Sequence, residues 1–162
     1  MMIDTFNLQK AIKVATQAHD GQKSRNGADY IAHPLTVMDM MQDDDTKIVA
    51  VLHDVVEDTK VGIEELRAMG CPQHILDAVL LVTHEPDYNG TDEEYMVKIQ
   101  KIADSGNQMA IDVKWGDLTH NSDMSRIPEP TKKDFQRREK YQKSKEILRP
   151  LVSEYLTLQA SP

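Results

Sequence analysis

The chain of 162 residues contains a single cysteine, Cys71, so no intramolecular disulfide can form. That fits a reducing cytoplasm. Aromatic residues make up only 5%, whereas methionine occurs nine times, so an aliphatic, methionine-bearing core is expected. Basic residues are outnumbered: 19 Lys and Arg face 27 Asp and Glu, a net charge of −8. Proteins that coat nucleic acid or anionic membrane need a dominant basic surface, so neither partner is expected. A small anionic ligand needs only local cations and stays open. No apolar run is long enough to span a bilayer. The stretch MMIDTFNLQK has no basic region followed by an apolar one, so no signal peptide is expected. Internal repeats, low-complexity blocks and Gly/Ser linkers are also missing. The simplest organisation is one domain over residues 1–162.

What is present is helical periodicity. Phe6 to His19 carries Ile12, Val14, Ala15 and Ala18 on one side, and Gly21 to Asp29 reads as a loop. Pro34 can open a helix continued by Leu35 to Met41. Asp43, Asp44 or Asp45 can cap a helix from Thr46 to about Val56. Further helices are expected over Gly62 to Met69, Pro72 to Thr83, Thr91 to Ala103 and Gln108 to Ser122. Thr91 and Glu94 have capping-box spacing. A last helix runs from Thr131 to about Leu158, with a bend at Pro150. The expectation is an all-α bundle of about eight helices. Trp115 and the cluster Met38, Met40 and Met41 read as core, Cys71 as a helix-boundary residue and His19 as a helix-end group. His74, His84 and His120 read as surface residues or as neighbours of the site, and Lys98 as solvated.

One stretch departs from ordinary helix patterning. LHDVVEDT (52–59) places His53, Asp54, Glu57 and Asp58 directly after the apolar run Ile48 to Leu52. Buried carboxylates are costly unless paired or bound to metal. On one continuous helix His53 and Glu57, and Asp54 and Asp58, would stack as i, i+4 pairs. A divalent ion would account for the cluster but needs more ligands. His33 in YIAHP and Asp117 in KWGDLTHN are the candidates. Two imidazoles and two carboxylates suit Mn²⁺, Zn²⁺ or Fe²⁺ and leave positions open for water and a substrate oxygen. Without a cysteine cluster, a structural zinc site is not expected.

The pattern His33, His53-Asp54, Asp117 resembles the HD superfamily of metal-dependent phosphohydrolases. The motifs AHDGQ (18–22), YIAHPLTV (30–37), VLHDVVEDT (51–59) and VKWGDLTHN (113–121) resemble, more closely, the hydrolase domain of RelA/SpoT-type enzymes and small alarmone hydrolases. That resemblance implies an all-helical fold, a Mn²⁺ site and removal of pyrophosphate from the 3′ position of (p)ppGpp. It places His33, His53, Asp54 and Asp117 on the metal ligands. Glu57 and Asp58 fall on the pair that positions and activates the attacking water. Asn121 falls on a substrate contact, and Arg137 and Tyr141 resemble an Arg and a Tyr that meet phosphates. Lys23 and Arg25 are further loop cations available to the substrate.

The chain also departs from that family. Ser24 stands where an Arg facing the nucleobase is usual, and Asp29 where Pro precedes the Tyr. Ser122-Asp123 replaces an apolar-Arg pair, and His84 replaces a Lys. Two rival functions follow. One is an HD phosphohydrolase for another phosphorylated nucleotide, such as (p)ppApp, NADPH or a nucleoside monophosphate. The other is a non-enzymatic module that binds a nucleotide or a partner.

Overall fold

The computed structural model describes residues 5–159; the stretch Met1–Asp4, part of the N-terminal segment read above, lies outside them. Among the described residues there are ten α-helical segments and no strand. They are α1 (Leu8–Ala18), α2 (Ala32–Met40), α3 (Asp44–Leu52), α4 (Val55–Asp58), α5 (Ile63–Ala68), α6 (Gln73–Val82), α7 (Asp92–Asp104), α8 (Gln108–Asn121), α9 (Lys132–Leu148) and α10 (Glu154–Gln159). Single 3-10 turns occupy Met124–Arg126 and Arg149–Leu151. The all-α expectation holds. No helix of the described residues is long and apolar enough to cross a membrane.

Local chemistry sets the helix starts. Asn7, Asp43, Asn107 and Thr131 each accept a hydrogen bond from a first-turn N–H, satisfying donors that have no intrahelical partner. At α7 only half of the expected capping box forms. Thr91 accepts from Glu94 N–H, but the Glu94 carboxylate accepts from Asn89 N–H at 2.7 Å instead of reaching back to Thr91. Gly70 and Gly106 close their helices with φ of +96° and +68°, a conformation that costs a Cβ-bearing residue energy.

Two helices form the centre. Ile48 to Leu52 of α3 are each at most 4% exposed, and α8 is buried from Ala110 through Leu118. A helix buried on all sides must sit inside the bundle. α1, α2 and α6 pack on α3, while α2, α3, α6 and α9 pack on α8. Lys145 of α9 lies 4.4 Å from the ring centre of Trp115, tying the outer helix to the core through a cation–π contact.

Three expectations need correction. The helix expected over Thr46–Val56 breaks after Leu52: His53 N–H bonds back three residues to Ala50 at 3.3 Å, and α4 starts afresh at Val55. The expected long last helix also breaks. Pro150 cannot donate an N–H to the ladder, and Arg149–Leu151 tightens to a 3-10 turn. Asp112 of α8 then catches the returning chain, accepting from Ser153 N–H at 2.9 Å and Ser153 Oγ at 2.6 Å. Finally, Lys98 is not solvated. It is 5% exposed and pairs with Glu85 at 3.2 Å.

Gly116 decides how closely α2 approaches α8. A Cβ there would lie 2.9 Å from Met41 Cε, 3.0 Å from Val37 Cγ1 and 3.4 Å from Met40 Sδ. Overpacking costs about 1–3 kcal/mol, against a gain of about 1 kcal/mol for Ala over Gly inside a helix. Gly116→Ala is therefore expected to lower stability by up to about 2 kcal/mol in urea unfolding. An increase in stability would show that the α2–α8 contact yields freely.

Candidate metal centre and active site

The break between α3 and α4 is what aims the His-Asp pair. With the helix interrupted at His53, the expected His53–Glu57 pair does not form, while Asp54 and Asp58 stay one turn apart, Asp58 N–H bonding back to Asp54 O at 2.9 Å. His53 joins His33 and Asp117, whereas Asp54, Glu57 and Asp58 draw together beside them. His33 is brought in by the first turn of α2 and Asp117 by the buried face of α8.

Four donor atoms converge. His33 Nε2 lies 2.9 Å from Asp117 Oδ1 and 3.7 Å from Asp54 Oδ2. His53 Nε2 lies 3.1 Å from Asp54 Oδ2 and 3.4 Å from Asp117 Oδ1, and has no hydrogen-bond partner although it is buried. Ligands about 2.1 Å from one ion lie roughly 3 Å apart at right angles and roughly 3.4 Å apart in a tetrahedron. The spacing of the His33, His53 and Asp117 atoms therefore fits a divalent metal, with Asp54 Oδ2 beside both imidazoles. The far sides of the rings fit as well. His53 Nδ1 donates to Ala50 O at 2.5 Å, which leaves Nε2 as the ring atom that would face an ion. His33 Nδ1 lies 2.7 Å from His120 Nδ1, and the two rings stack.

The electrostatics follow from burial. Lys114 is buried with Nζ 3.0 Å from Asp117 Oδ2. Burial opposes its charge, yet Asp117 holds the ammonium above the ordinary lysine range. Burial likewise opposes the Asp117 carboxylate, but Lys114 and the two imidazoles keep it well below the usual carboxylate range. Burial works against a charged His53 too, and Asp54 and Asp117 outweigh it and raise its pKa. Tyr30 Oη donates to Asp54 Oδ2 at 2.6 Å; desolvation and that carboxylate push the phenol up. Glu57 and Asp58 reach solvent, but surrounding protein first, and the Asp54 charge next, push both carboxyls up. His84 N–H donates to Glu57 Oε1 at 2.7 Å. The His84 imidazole is pushed down to about 4 by burial and by Lys114 and Lys98, so it stays neutral beside this cluster.

Two adjoining cavities result. An acidic one of about 180 Å³ is lined by His33, His53, Asp54, Glu57, Asp58 and Asp117, all six metal and catalytic candidates. A second, of about 280 Å³, is lined by Lys23, Ser24, Arg25, Asn121, Arg137 and Tyr141, all six substrate-contact candidates. Tyr30, His33, Asn121 and Tyr141 line both. Asn121 Nδ2 donates to Asp117 Oδ1 at 3.0 Å. Lys23 is paired with Asp29, while Arg25 and Arg137 both reach the buried carboxylate of Asp134. Asp123, the acid at a usually basic position, braces its own turn instead. It accepts from Ser125 N–H and Oγ and does not line either cavity.

Sequence reasoning missed four contributors. Tyr30 and Lys114 were inside the motifs without an assigned role; packing brings Tyr30 to Asp54, whereas Lys114 stands three positions before Asp117 on α8, a helical spacing that the sequence offered. Arg126 and Asp134 stood outside the motifs. His120, read as surface or site neighbour, is a neighbour of His33. His74, by contrast, is exposed and pairs with Asp45.

No family model matches the chain. It is 30% identical over 151 residues to a probable GTP pyrophosphokinase of Mycobacterium leprae, an alignment covering 90% of this chain and 19% of that protein. It is 42% identical over 64 residues to a GTP pyrophosphokinase of Streptomyces coelicolor, covering 37% of this chain and 8% of the relative. It is 38% identical over 66 residues to the bifunctional (p)ppGpp synthase/hydrolase SpoT of Escherichia coli, covering 38% and 9%. The chain thus spans less than a fifth of the length of these relatives. A solved structure described as a metazoan orthologue of SpoT that hydrolyses ppGpp superposes with a TM-score of 0.82 at 22% identity, covering 98% of this chain and 94% of that one. The two share a fold.

A ligand that binds only the folded chain stabilises it by about 2.7 kcal/mol at a concentration 100 times its dissociation constant. Divalent metal at that excess is expected to raise the thermal midpoint accordingly, and Asp54→Ala to abolish the rise. A metal-dependent rise of full size in that variant would remove Asp54 from the donor set.

Proposed function

We propose that this chain, an HD-type helical domain related in sequence to RelA/SpoT-type enzymes, is a metal-dependent hydrolase that removes pyrophosphate from the 3′ position of (p)ppGpp. The observation that carries the reading is the pairing of an acidic, metal-competent cavity with a cation-lined one, joined through Tyr30, His33, Asn121 and Tyr141. The first suits hydrolysis at phosphorus, and the second suits the rest of a phosphorylated nucleotide. The similarity to SpoT of Escherichia coli and the fold shared with the metazoan orthologue support it.

His33, His53, Asp54 and Asp117 would hold the ion; their mixed imidazole and carboxylate donors suit Mn²⁺, Zn²⁺ or Fe²⁺, and the resemblance to RelA/SpoT-type hydrolases favours Mn²⁺. When bound, such an ion supplies Lewis acidity and makes a neighbouring water more acidic. The chain's own groups do the remaining work. Tyr30 and Lys114 fix the orientation of Asp54 and Asp117. Glu57 or Asp58, made more basic by its surroundings, takes a proton from the attacking water. The water oxygen bonds to the phosphorus on the 3′ oxygen, the bond between them breaks, and the proton passes to the 3′ oxygen. Pyrophosphate and a nucleoside 5′-di- or triphosphate result. Arg25, Arg137 and Lys23 offset phosphate charge. A module that merely binds nucleotide has no use for the Glu57–Asp58 pair.

Ser24 lines the larger cavity where the family's base-facing Arg is usual, so guanine preference is expected to be weak and the adenine alarmone to be accepted as well. The test is incubation with Mn²⁺ and a panel of ppGpp, ppApp, NADPH and nucleoside monophosphates, with products separated by chromatography. Pyrophosphate release from ppGpp is expected. Turnover of a monophosphate or NADPH without it would assign another substrate, and binding without turnover a non-enzymatic role. Glu57→Gln is expected to keep its metal, measured by elemental analysis, and to lose about 10²-fold or more in kcat. Unchanged turnover would exclude Glu57 as the base.

A further inference from the structure

The cations of the larger cavity are not equivalent. Lys23 is held by Asp29 across the loop between α1 and α2. Arg25 and Arg137 share Asp134, whose carboxylate is 3% exposed and also accepts from Thr131 N–H at 2.8 Å. Lys23 thus carries a carboxylate of its own, and Arg25 and Arg137 divide one between them. Arg126 also lines the cavity, and among the described residues it has no carboxylate partner. Its Nη2 donates to His120 O, the end of α8, at 2.8 Å, and its Nε is buried with no hydrogen-bond partner. Its 3-10 turn is held by Asp123, which accepts from Ser125 N–H at 3.0 Å and Ser125 Oγ at 2.6 Å. A guanidinium fixed to the backbone, with an unused donor and no carboxylate in ion-pair contact, is suited to grip an anionic group in that wall.

We infer that Arg126 is the specificity residue that grips the 5′-phosphates of the nucleotide substrate. The inference rests on the proposed 3′-pyrophosphohydrolase reading and assigns the end of the substrate away from the reacting bond. Arg126 lines the larger cavity and not the acidic one, so the phosphate it meets is not the one attacked beside His53 and Asp117. Discrimination between 5′-phosphorylated and 5′-hydroxyl substrates then falls chiefly to this residue.

The experiment compares ppGpp with guanosine 3′-diphosphate, which lacks the 5′-phosphates, using the metal-loaded full chain. Arg126→Gln is expected to raise KM for ppGpp tenfold or more with kcat within about twofold, and to leave KM for the 5′-hydroxyl substrate unchanged. Arg126→Lys, which keeps the charge, should recover most of the loss. Equal KM increases on both substrates would show that Arg126 only braces the end of α8, and no change on either would also overturn the assignment. Calorimetric binding of GDP reads the same contact without turnover: at least tenfold weaker binding by Arg126→Gln is expected, and equal binding would overturn the inference. If no 3′-pyrophosphorylated nucleotide is hydrolysed by the unaltered protein, the proposed reaction fails, while the GDP comparison still decides the role of Arg126.

Discussion

Everything in this molecule is arranged around a buried knot of two imidazoles and two carboxylates, each imidazole nitrogen 2.9 to 3.7 Å from both carboxylates. Such a knot opposes folding, because desolvating charged groups costs several kcal/mol each. The fold answers with a buried cation, Lys114, one helical turn from Asp117, and with a phenol, Tyr30, on Asp54. It also leaves His53 Nε2 buried and unpaired, an expense that an apolar core would avoid and that a bound ion would offset. The small Gly116 beside Asp117 belongs to the same arrangement, since it lets α2 come close enough for His33 to reach across.

Charge is sorted by cavity. The acidic groups collect at the α3–α4 break, and the cations line the neighbouring space between the 21–29 loop, the Met124–Arg126 turn and α9. An overall charge of −8 hides this separation. Most of the cations are preset by acids: Asp29 for Lys23, Asp134 for Arg25 and Arg137. A carboxylate shared in this way costs some attraction for an anion and gives a defined geometry in return. Asp134 serves twice, because it also closes the first turn of α9, so the start of that helix and the position of two arginines are set together.

Much of this was legible in the chain alone. Asparagine, aspartate and threonine caps, the glycines that end helices and the spacing of apolar residues are local properties, and they marked most helices within a few residues. The six acidic and imidazole groups of the acidic cavity could be named because carboxylates after an apolar run need an explanation that surface charges do not. The helix break that parts His53 from Glu57 could not be read. A continuous helix through His53 would have stacked His53 with Glu57, whereas the break sends His53 to His33 and Asp117.

What the sequence determined by itself was the helical class, most starts and stops of its elements (the breaks after Leu52 and Leu148 excepted) and the identity of the reactive side chains, because each depends on neighbours a few positions away. Only the tertiary structure decided which of them meet. His33 and Asp117 are 84 positions apart, Tyr30 and Asp54 are 24 apart, and Lys98 finds Glu85 across a loop. The fates of Lys98 and Arg126 were likewise set by packing: one is buried against a carboxylate, and the other is left without one at a cavity wall. A side chain's charge is written in its residue type, but its partner is chosen by the close packing of helices that brings distant residues within a few ångströms.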